Sequence, residues 1–321
     1  VRIVATGSLA YDYIMTFPGL FGDHILPEKV QVLSVSFLAD SLCKLRGGIA
    51  GNVAYNLALL GERPILASTV GQDFGEYRAA LEQLNVDTRG IVEIKNDFTS
   101  SCFITTDKAD NQIVTFYPGA MSYYDQLSLR HLDLDANDLV LISASDPRGM
   151  YRCIKDCQEL GLPYIFDPGK QALRLEADLI RLGLQGAKVL VGNEYEFGLM
   201  AKHLNLTEEA LIAQAPLTVM TLGKAGSKIY DNAANRQLTI PVAPPQVVAD
   251  PTGAGDAYLA GLAFGLAHKL PLELTGRVAA LAATYAIEKR GCQAHTYTRA
   301  EFLTRYTALF GASELATLLT N

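Results

Sequence analysis

Strongly basic runs are missing from this 321-residue sequence, in which 27 Lys and Arg stand against 34 Asp and Glu for a formal net charge of −7. Phosphate-backbone binding needs local clusters of Lys and Arg, so a dedicated nucleic-acid binder is excluded. A single anionic ligand held by backbone amides is not. Paired cysteines are missing as well. Cys43, Cys102, Cys153, Cys157 and Cys292 make an odd set, and the one close pair has neither a second pair nor a His beside it. That argues against a disulfide framework and a zinc site, and for a reduced, intracellular chain whose thiols serve as small hydrophobes. No stretch reaches about 18 apolar residues without a charge, so no membrane-spanning helix is expected. The opening VRIVATGSLAYDYI holds one basic residue and soon meets Asp12, which reads as a first strand rather than a signal peptide. The expectation is a soluble, cytoplasmic protein.

What is present suits a globular chain: 49% of residues are apolar and 19% charged. A chain of this length buries roughly three quarters of its unfolded surface and needs no staple. From about residue 125 onward, short apolar runs alternate with helical patterns. Leu139 to Ser143, Pro163 to Phe166, Val189 to Val191 and Leu217 to Thr221 read as strands. Tyr151 to Leu160, Leu173 to Leu184 and Glu194 to Lys202 read as helices, and Asp256 to Leu266 and Leu272 to Glu288 close the series. This rhythm predicts βαβ units and a mainly parallel sheet. Two pieces do not fit that layer. Tyr13 to Phe17 and Val30 to Phe37 are β-rich, as are Ser101 to Thr105 and Gln112 to Phe116. The inserts at about 14–45 and 98–120 therefore predict a small separate sheet, a lid, within one domain covering 1–321.

The sharpest local signal is Asp250-Pro251-Thr252-Gly253-Ala254-Gly255-Asp256, which opens a strongly apolar helix. Small residues at a helix start leave its first amides open, and those amides have no intrahelical partner. An anion bound there gains hydrogen bonds and the helix dipole. Asp256 then stands at the edge of an anion hole, ionised near neutrality, where it could take a proton from an attacking hydroxyl. Alternatively, Asp256 caps the helix and the glycines only permit tight packing. No Lys-Ser or Lys-Thr follows the glycines, so this is not a Walker loop.

Three further places carry polar groups that could serve a ligand. Asp12 follows the first strand, where a carboxylate suits two adjacent hydroxyls; it could equally cap a turn. Gly47 and Gly48 allow close backbone approach, and Asn52 offers donor and acceptor one helical turn on, or simply begins a helix. Asn193 and Glu196 share a face at a helix start, a spacing that suits an outer-shell grip on hydrated Mg2+ or a capping box. Aromatic residues Phe17, Phe37, Phe103, Phe116 and Tyr117 lie on the inserts, either to stack on a nucleobase or to form the lid's own core.

The Asp250 to Asp256 segment resembles the signature of the ribokinase (PfkB) family of carbohydrate and nucleoside kinases, with Pro251 in place of the usual hydroxyl or small residue. The resemblance spans essentially the whole chain. It implies a ribokinase-like three-layer α/β/α sandwich with a β-sheet lid, and transfer of phosphoryl from ATP with Mg2+. Asp256 would be the base, and the amides of Gly253, Ala254 and Gly255 the anion hole. Asp12, Gly47, Gly48 and Asn52 would hold sugar hydroxyls, with Tyr117 on the lid strand beside the substrate. Asn193 and Glu196 match the family's Asn-x-x-Glu motif and would grip magnesium through water. Thr221, Gly223 and Gly226 match its Thr-x-Gly-x-x-Gly turn along the nucleotide, where Lys224 either neutralises phosphate or faces solvent. Thr252 would sit beside the nucleotide too. The loop from Gly291 to His295 would lie by the adenine and hold a monovalent cation such as K+ through carbonyls. The flavour of the N-terminal half is most like bacterial adenosine kinase-type members, which makes adenosine the expected acceptor. The alternatives are ribose, fructose or a related sugar, for whose phosphates Arg46 and Arg148 are candidate contacts, and a non-catalytic ligand-binding relative. Relatives are monomers or homodimers through the lid.

Overall fold

Strand β1 (Ile3–Thr6) is buried on both faces, and its side chains alternate between two cores: Ile3 and Ala5 pack into one, Val4 into the other. That period of two is what a central strand between helical layers requires. The structure, a computed structural model, describes residues 1–319. After β1 come β2 (Ala10–Thr16), β3 (Ser41–Gly47), α1 (Ile49–Leu59), β4 (Ile65–Gly71), α2 (Gly75–Gln83) and β5 (Asp87–Ile94). Then follow β6 (Ser100–Thr106), β7 (Gln112–Tyr117), β8 (Leu139–Ser143), α3 (Pro147–Leu160), β9 (Tyr164–Asp167) and α4 (Ala177–Leu184). The chain continues through β10 (Val189–Asn193), α5 (Glu194–Leu204), α6 (Glu208–Ile212), β11 (Leu217–Thr221), β12 (Ser227–Asp231) and β13 (Arg236–Ile240). It closes with α7 (Ala254–Ala267), α8 (Leu272–Ile287), α9 (Arg299–Phe310) and α10 (Leu315–Leu319).

The large sheet has nine strands in the order β13-β12-β11-β10-β9-β8-β1-β4-β5, parallel except for the hairpin β12–β13 at one edge. Helices α1, α2, α7, α8 and α9 cover one face, and α3 to α6 the other. The chain runs from β1 toward β4 and β5, then returns to lay β8 on the opposite side of β1. That reversal leaves a crevice at the carboxyl ends of the strands, the ordinary ligand position of an open α/β sheet. Ser143, Asp167, Asn193 and Thr221 end β8, β9, β10 and β11 on this edge. The expected three-layer architecture is what forms, and no described helix is long and apolar enough to cross a membrane.

The second sheet has four strands in the order β3-β2-β6-β7 and is the lid. One expectation fails within it. Val30 to Phe37 is not a strand: Pro27–Val32 forms a 3-10 turn, and the chain beyond it is irregular up to residue 40. Val30, Val32 and Leu33 are exposed. Their alternation has no partner strand, and without one the pattern carries no ladder. The lid strand is instead Ser41–Gly47, which pairs antiparallel with β2 along its length. Leu173 to Leu184 also divides, into a 3-10 turn Gly169–Leu173 and α4.

Candidate active site

Helix α7 starts at Gly253, whose φ of 82° is left-handed, and no side chain caps it. The first turn is therefore open. Ala254 donates to the Pro251 carbonyl at 3.3 Å and Ala257 to that of Gly253 at 3.0 Å. Among the described residues the amides of Gly253, Gly255 and Asp256 have no such acceptor. Open space lies in front of Gly255, where a Cβ would meet nothing within 4 Å. Of the amides expected to face an anion, those of Gly253 and Gly255 are free, as is that of Asp256, while the Ala254 amide is turned back on its own loop. Asp250 shapes that loop: Oδ1 accepts from the Thr252 amide at 2.9 Å and Oδ2 from the Gly291 amide at 3.1 Å.

The Asp256 carboxylate accepts a hydrogen bond from Asn52 Nδ2 at 2.7 Å. Burial lifts its pKa to about 6, with Asn52 and the charge of Lys170 opposing and Glu196 adding to the rise. The helix start alone would keep this group ionised. It is ionised at neutrality, but desolvation outweighs the helix start and leaves its proton affinity close to working pH. That is the tuning a general base needs.

Two residues of this cluster carry no motif in the sequence. Asp167 ends β9, and burial, then the charges of Glu196 and Asp256, push its carboxyl well up, against the Gly169 amide. Lys170 is exposed and makes no ion pair among the described residues, but its charge lowers the pKa of Asp12, Glu196 and Asp256, so it lies on the side of the site that all three share. The signal was a Pro-Gly turn immediately after a strand, Asp167-Pro168-Gly169-Lys170, on the same sheet edge as the other site residues.

Asp12 lies on β2 with its pKa raised by burial and opposed by Lys170. It packs against the turn into α1: a Cβ on Gly47 would lie 2.9 Å from Asp12 Oδ2. Gly48 has φ +87°, and a Cβ there would stand 2.6 Å from both Leu9 Cα and the Ser8 carbonyl oxygen. Only glycine fits. Across the lid, Leu45, Asp12, Cys102 and Phe116 are register partners and form one row. The Gly291 loop faces Leu45. Asp12 is therefore a lone carboxylate flanked by apolar side chains. Tyr117 is not in that row. It pairs through Ser101 with Tyr11 and Arg46, the opposite face of the sheet, and its hydroxyl donates to Asp97 at 2.6 Å. Side chains alternate across a strand, so Phe116, not Tyr117, shares the face of Asp12. Phe17, Phe21, Phe37 and His24 pack on one another as a small core of the lid.

At the other end of the crevice, Asn193 and Glu196 form a reciprocal capping box on α5: Asn193 Oδ1 accepts from the Glu196 amide at 2.9 Å, and Glu196 Oε2 from the Asn193 amide at 2.8 Å. Asn193 sits beside Thr221 in the ladder, so the two strand ends expected along the nucleotide are neighbours. Gly223 and Gly226 follow with φ of +54° and +86°, and Lys224 is exposed. Arg148 is engaged by Asp146 and the Ser122 carbonyl. His295 is buried with Nε2 bonded to Asn56 at 2.9 Å, inside the protein rather than along a ligand surface. Among the described residues no three or more His, Cys, Asp and Glu side chains are grouped to hold a metal directly. The residues fit a hydrated Mg2+ in another way. Burial raises Asp167, Glu196 and Asp256, and the charge of Glu196 adds to the rise of the other two, as does that of Asp256 for Asp167; a cation held through water would offset both.

Comparison with known proteins agrees with this geometry. The model of the pfkB family of carbohydrate kinases matches residues 3–299. A nucleoside kinase of Methanothermobacter thermautotrophicus is 30% identical over 312 residues, 96% of each chain. The ligand-free structure of a Burkholderia thailandensis nucleoside kinase superposes with a TM-score of 0.86 at 31% identity, covering 95% of this chain and all of that one. The same kinase has been solved with ADP and inosine, at a TM-score of 0.82 and 97% coverage of both chains. A ribokinase of Bacillus subtilis is 27% identical over 94% of this chain and 97% of its own. The free amides at the start of α7, the tuned carboxylate among them and the match over almost the whole length place this chain in the pfkB (ribokinase) family, as an ATP-dependent nucleoside or carbohydrate kinase.

Proposed function

We propose that the acceptor is a nucleoside, and that the chain transfers the γ-phosphoryl group of ATP to the ribose 5′-hydroxyl of a purine nucleoside such as adenosine or inosine. The observation that carries this reading is the lid row Leu45–Asp12–Cys102–Phe116: one carboxylate for a pair of ribose hydroxyls, with apolar neighbours and an aromatic ring suited to a base. A free sugar would call for more polar groups there. The nucleoside kinases among the relatives support the same reading.

The chemistry follows from the site. Asp12 and the Gly47–Gly48 turn hold the ribose so that its 5′-oxygen meets the γ-phosphorus. Asp256 accepts the hydroxyl proton as the new O–P bond forms and the bond from phosphorus to the β,γ-bridging oxygen breaks, releasing ADP. The amides of Gly253, Gly255 and Asp256 and the Lys170 ammonium meet the charge on the transferred group. Asn193 and Glu196 are the residues that would hold Mg2+ through water, where it would neutralise phosphate charge. Closure of the lid over the crevice excludes water as a competing acceptor.

The test is ATP consumption with adenosine, inosine, other nucleosides, ribose, fructose and fructose phosphates side by side. Nucleosides are expected to lead by at least about tenfold in kcat/KM over any sugar. A sugar in the lead sinks the nucleoside reading, and no turnover on any acceptor sinks the kinase chemistry with it. A second reading concerns assembly: Leu42 and Ile113, both exposed, fall in one row with Met15 on the outer face of the lid, which we propose a second copy covers.

A further inference from the structure

Asn52 is an amide, and its two ends do opposite things to a neighbouring carboxylate. Turned one way, Nδ2 donates to Asp256 and favours the ionised base. Turned the other, its oxygen faces the carboxylate and repels it. Something must choose. The choice can be traced through a chain of hydrogen bonds that starts at a group with no freedom at all, the backbone carbonyl of Gly47.

A carbonyl only accepts. Tyr77 lies within 3.0 Å of the Gly47 oxygen, so its hydroxyl must donate there. Having spent its one proton, the Tyr77 oxygen accepts from its other partner, Gln293 Nε2. The second hydrogen on that nitrogen goes to Asn52 Oδ1 at 3.0 Å. With Oδ1 so engaged, Asn52 presents Nδ2 to Asp256, at 2.7 Å. Tyr77 is fully buried and at Asn52 only 3% of the surface is exposed, so water does not compete at those two groups, while Gln293 between them is half-buried. The Asn52 backbone is fixed independently: its carbonyl accepts from Asn56 Nδ2 at 2.9 Å, and Asn56 Oδ1 in turn meets His295 Nε2. Only the side-chain rotor of Asn52 is left to be set: the Asp256 carboxylate draws Nδ2, Cys292 lies against the amide, and Gln293 holds Oδ1 from the other side.

We infer that Gln293 is a positioning residue for the transfer reaction: it fixes which end of the Asn52 amide faces Asp256 and ties that choice to the Gly47 turn. This rests on the phosphotransfer reading above. Gln293 touches neither the base nor the reacting atoms; it acts through Asn52 on one side and Tyr77 on the other. The loop that carries it also meets Asp250 through the Gly291 amide, so the loop joins the anion hole to the acceptor turn.

The experiment is a double-mutant cycle with inosine and MgATP. Gln293→Met keeps the length and removes both donors; Gln293→Glu keeps the shape and turns an oxygen toward Asn52 Oδ1. Each is expected to lower kcat/KM for inosine by about tenfold to a hundredfold, Glu more than Met, with KM for ATP within about twofold. In an Asn52→Ala background, where there is no rotor left to set, Gln293→Met is expected to cost less than about threefold more. Losses that multiply in full, or Gln293 variants within about twofold of the unaltered chain, overturn the proposal. So does failure of both variants to fold, which would make the residue structural. If the unaltered chain turns over no acceptor, the kinase reading is what has failed. The same cycle read by thermal unfolding then still decides the network, non-additive losses supporting it and additive losses overturning it.

Discussion

Asn52 on α1 and Asp256 on α7 meet through a 2.7 Å hydrogen bond although 204 positions separate them in the chain. One end of this contact belongs to the turn that follows the lid, the other to the helix whose open amides await phosphate. Removing the carboxylate therefore separates binding from chemistry. Asp256→Asn keeps the size and still offers Asn52 an oxygen, but it accepts no proton. The expected outcome is a fall in kcat of about a thousandfold with KM for ATP within about threefold, measured at saturating nucleoside. Near-normal turnover would remove Asp256 from the role of base.

The same group links activity and stability to pH with opposite signs. Only the ionised form accepts the proton, so kcat should fall as pH drops through about 6, the value to which burial lifts this carboxyl. Stability runs the other way. The folded-state pKa lies above the ordinary aspartate value, so the native chain binds the proton more tightly than the unfolded one. The favourable contribution is present in full below the unfolded value and is lost as pH rises through the folded one. Holding the charge at pH 8 then costs about 3 kcal/mol. Asp256→Asn should melt higher than the unaltered chain at about pH 8, with the difference vanishing toward about pH 4. Melting curves at both ends check it; a variant less stable at high pH would contradict the sign.

Much of this was open to reading in the sequence, for a physical reason. Gly253 and Gly255 are needed because amides must stay bare, and Gly48 because its φ is positive and its neighbours are backbone, so composition records the geometry. Side-chain facing was harder. Phe116 and Tyr117 differ by one residue, and only the lid register puts Phe116 beside Asp12. Val30 to Phe37 shows the converse: the strand pattern is there, but Pro27–Val32 closes into a 3-10 turn and the segment pairs with neither edge of the small sheet. Lys170 and Gln293 stayed hidden because their roles arise from what the fold brings near them. Helix α9 begins at the capping box Thr298–Glu301, a signal that was present and unused.

Asp12 makes a prediction of its own. Its carboxylate lies against Gly47 and is raised by burial, so an empty site holds it at a cost that paired hydroxyls would recover. Asp12→Ala should raise KM for adenosine or inosine about a hundredfold and leave KM for ATP nearly unchanged. A nucleoside lacking both secondary hydroxyls should be indifferent to the substitution. If the variant binds normal nucleosides as before, Asp12 does not hold the ribose.

The lid's outer face offers a test that needs no substrate. Leu42 is 66% exposed and Ile113 40%, in one row of a small sheet whose edge strand β7 is exposed along its length. Sedimentation at micromolar concentration should give the mass of two chains, and Ile113→Lys should shift it to one. A chain monomeric at every concentration leaves that face without a second copy.

Asn193 and Glu196 carry two roles that substitution can pull apart. Each caps the other at the start of α5, so Asn193→Ala should lose about 1 kcal/mol of stability whatever the ligand. Asn193→Asp keeps an oxygen for the Glu196 amide and should leave the melting temperature almost unchanged. Yet it adds a negative charge beside Glu196, which lies close to Asp167 and Asp256. If this end of the crevice meets hydrated Mg2+ and phosphate, the Asp variant should shift the magnesium concentration for half-maximal rate by several-fold while folding as before. Equal magnesium curves for the two chains would leave the pair as a helix cap and nothing more.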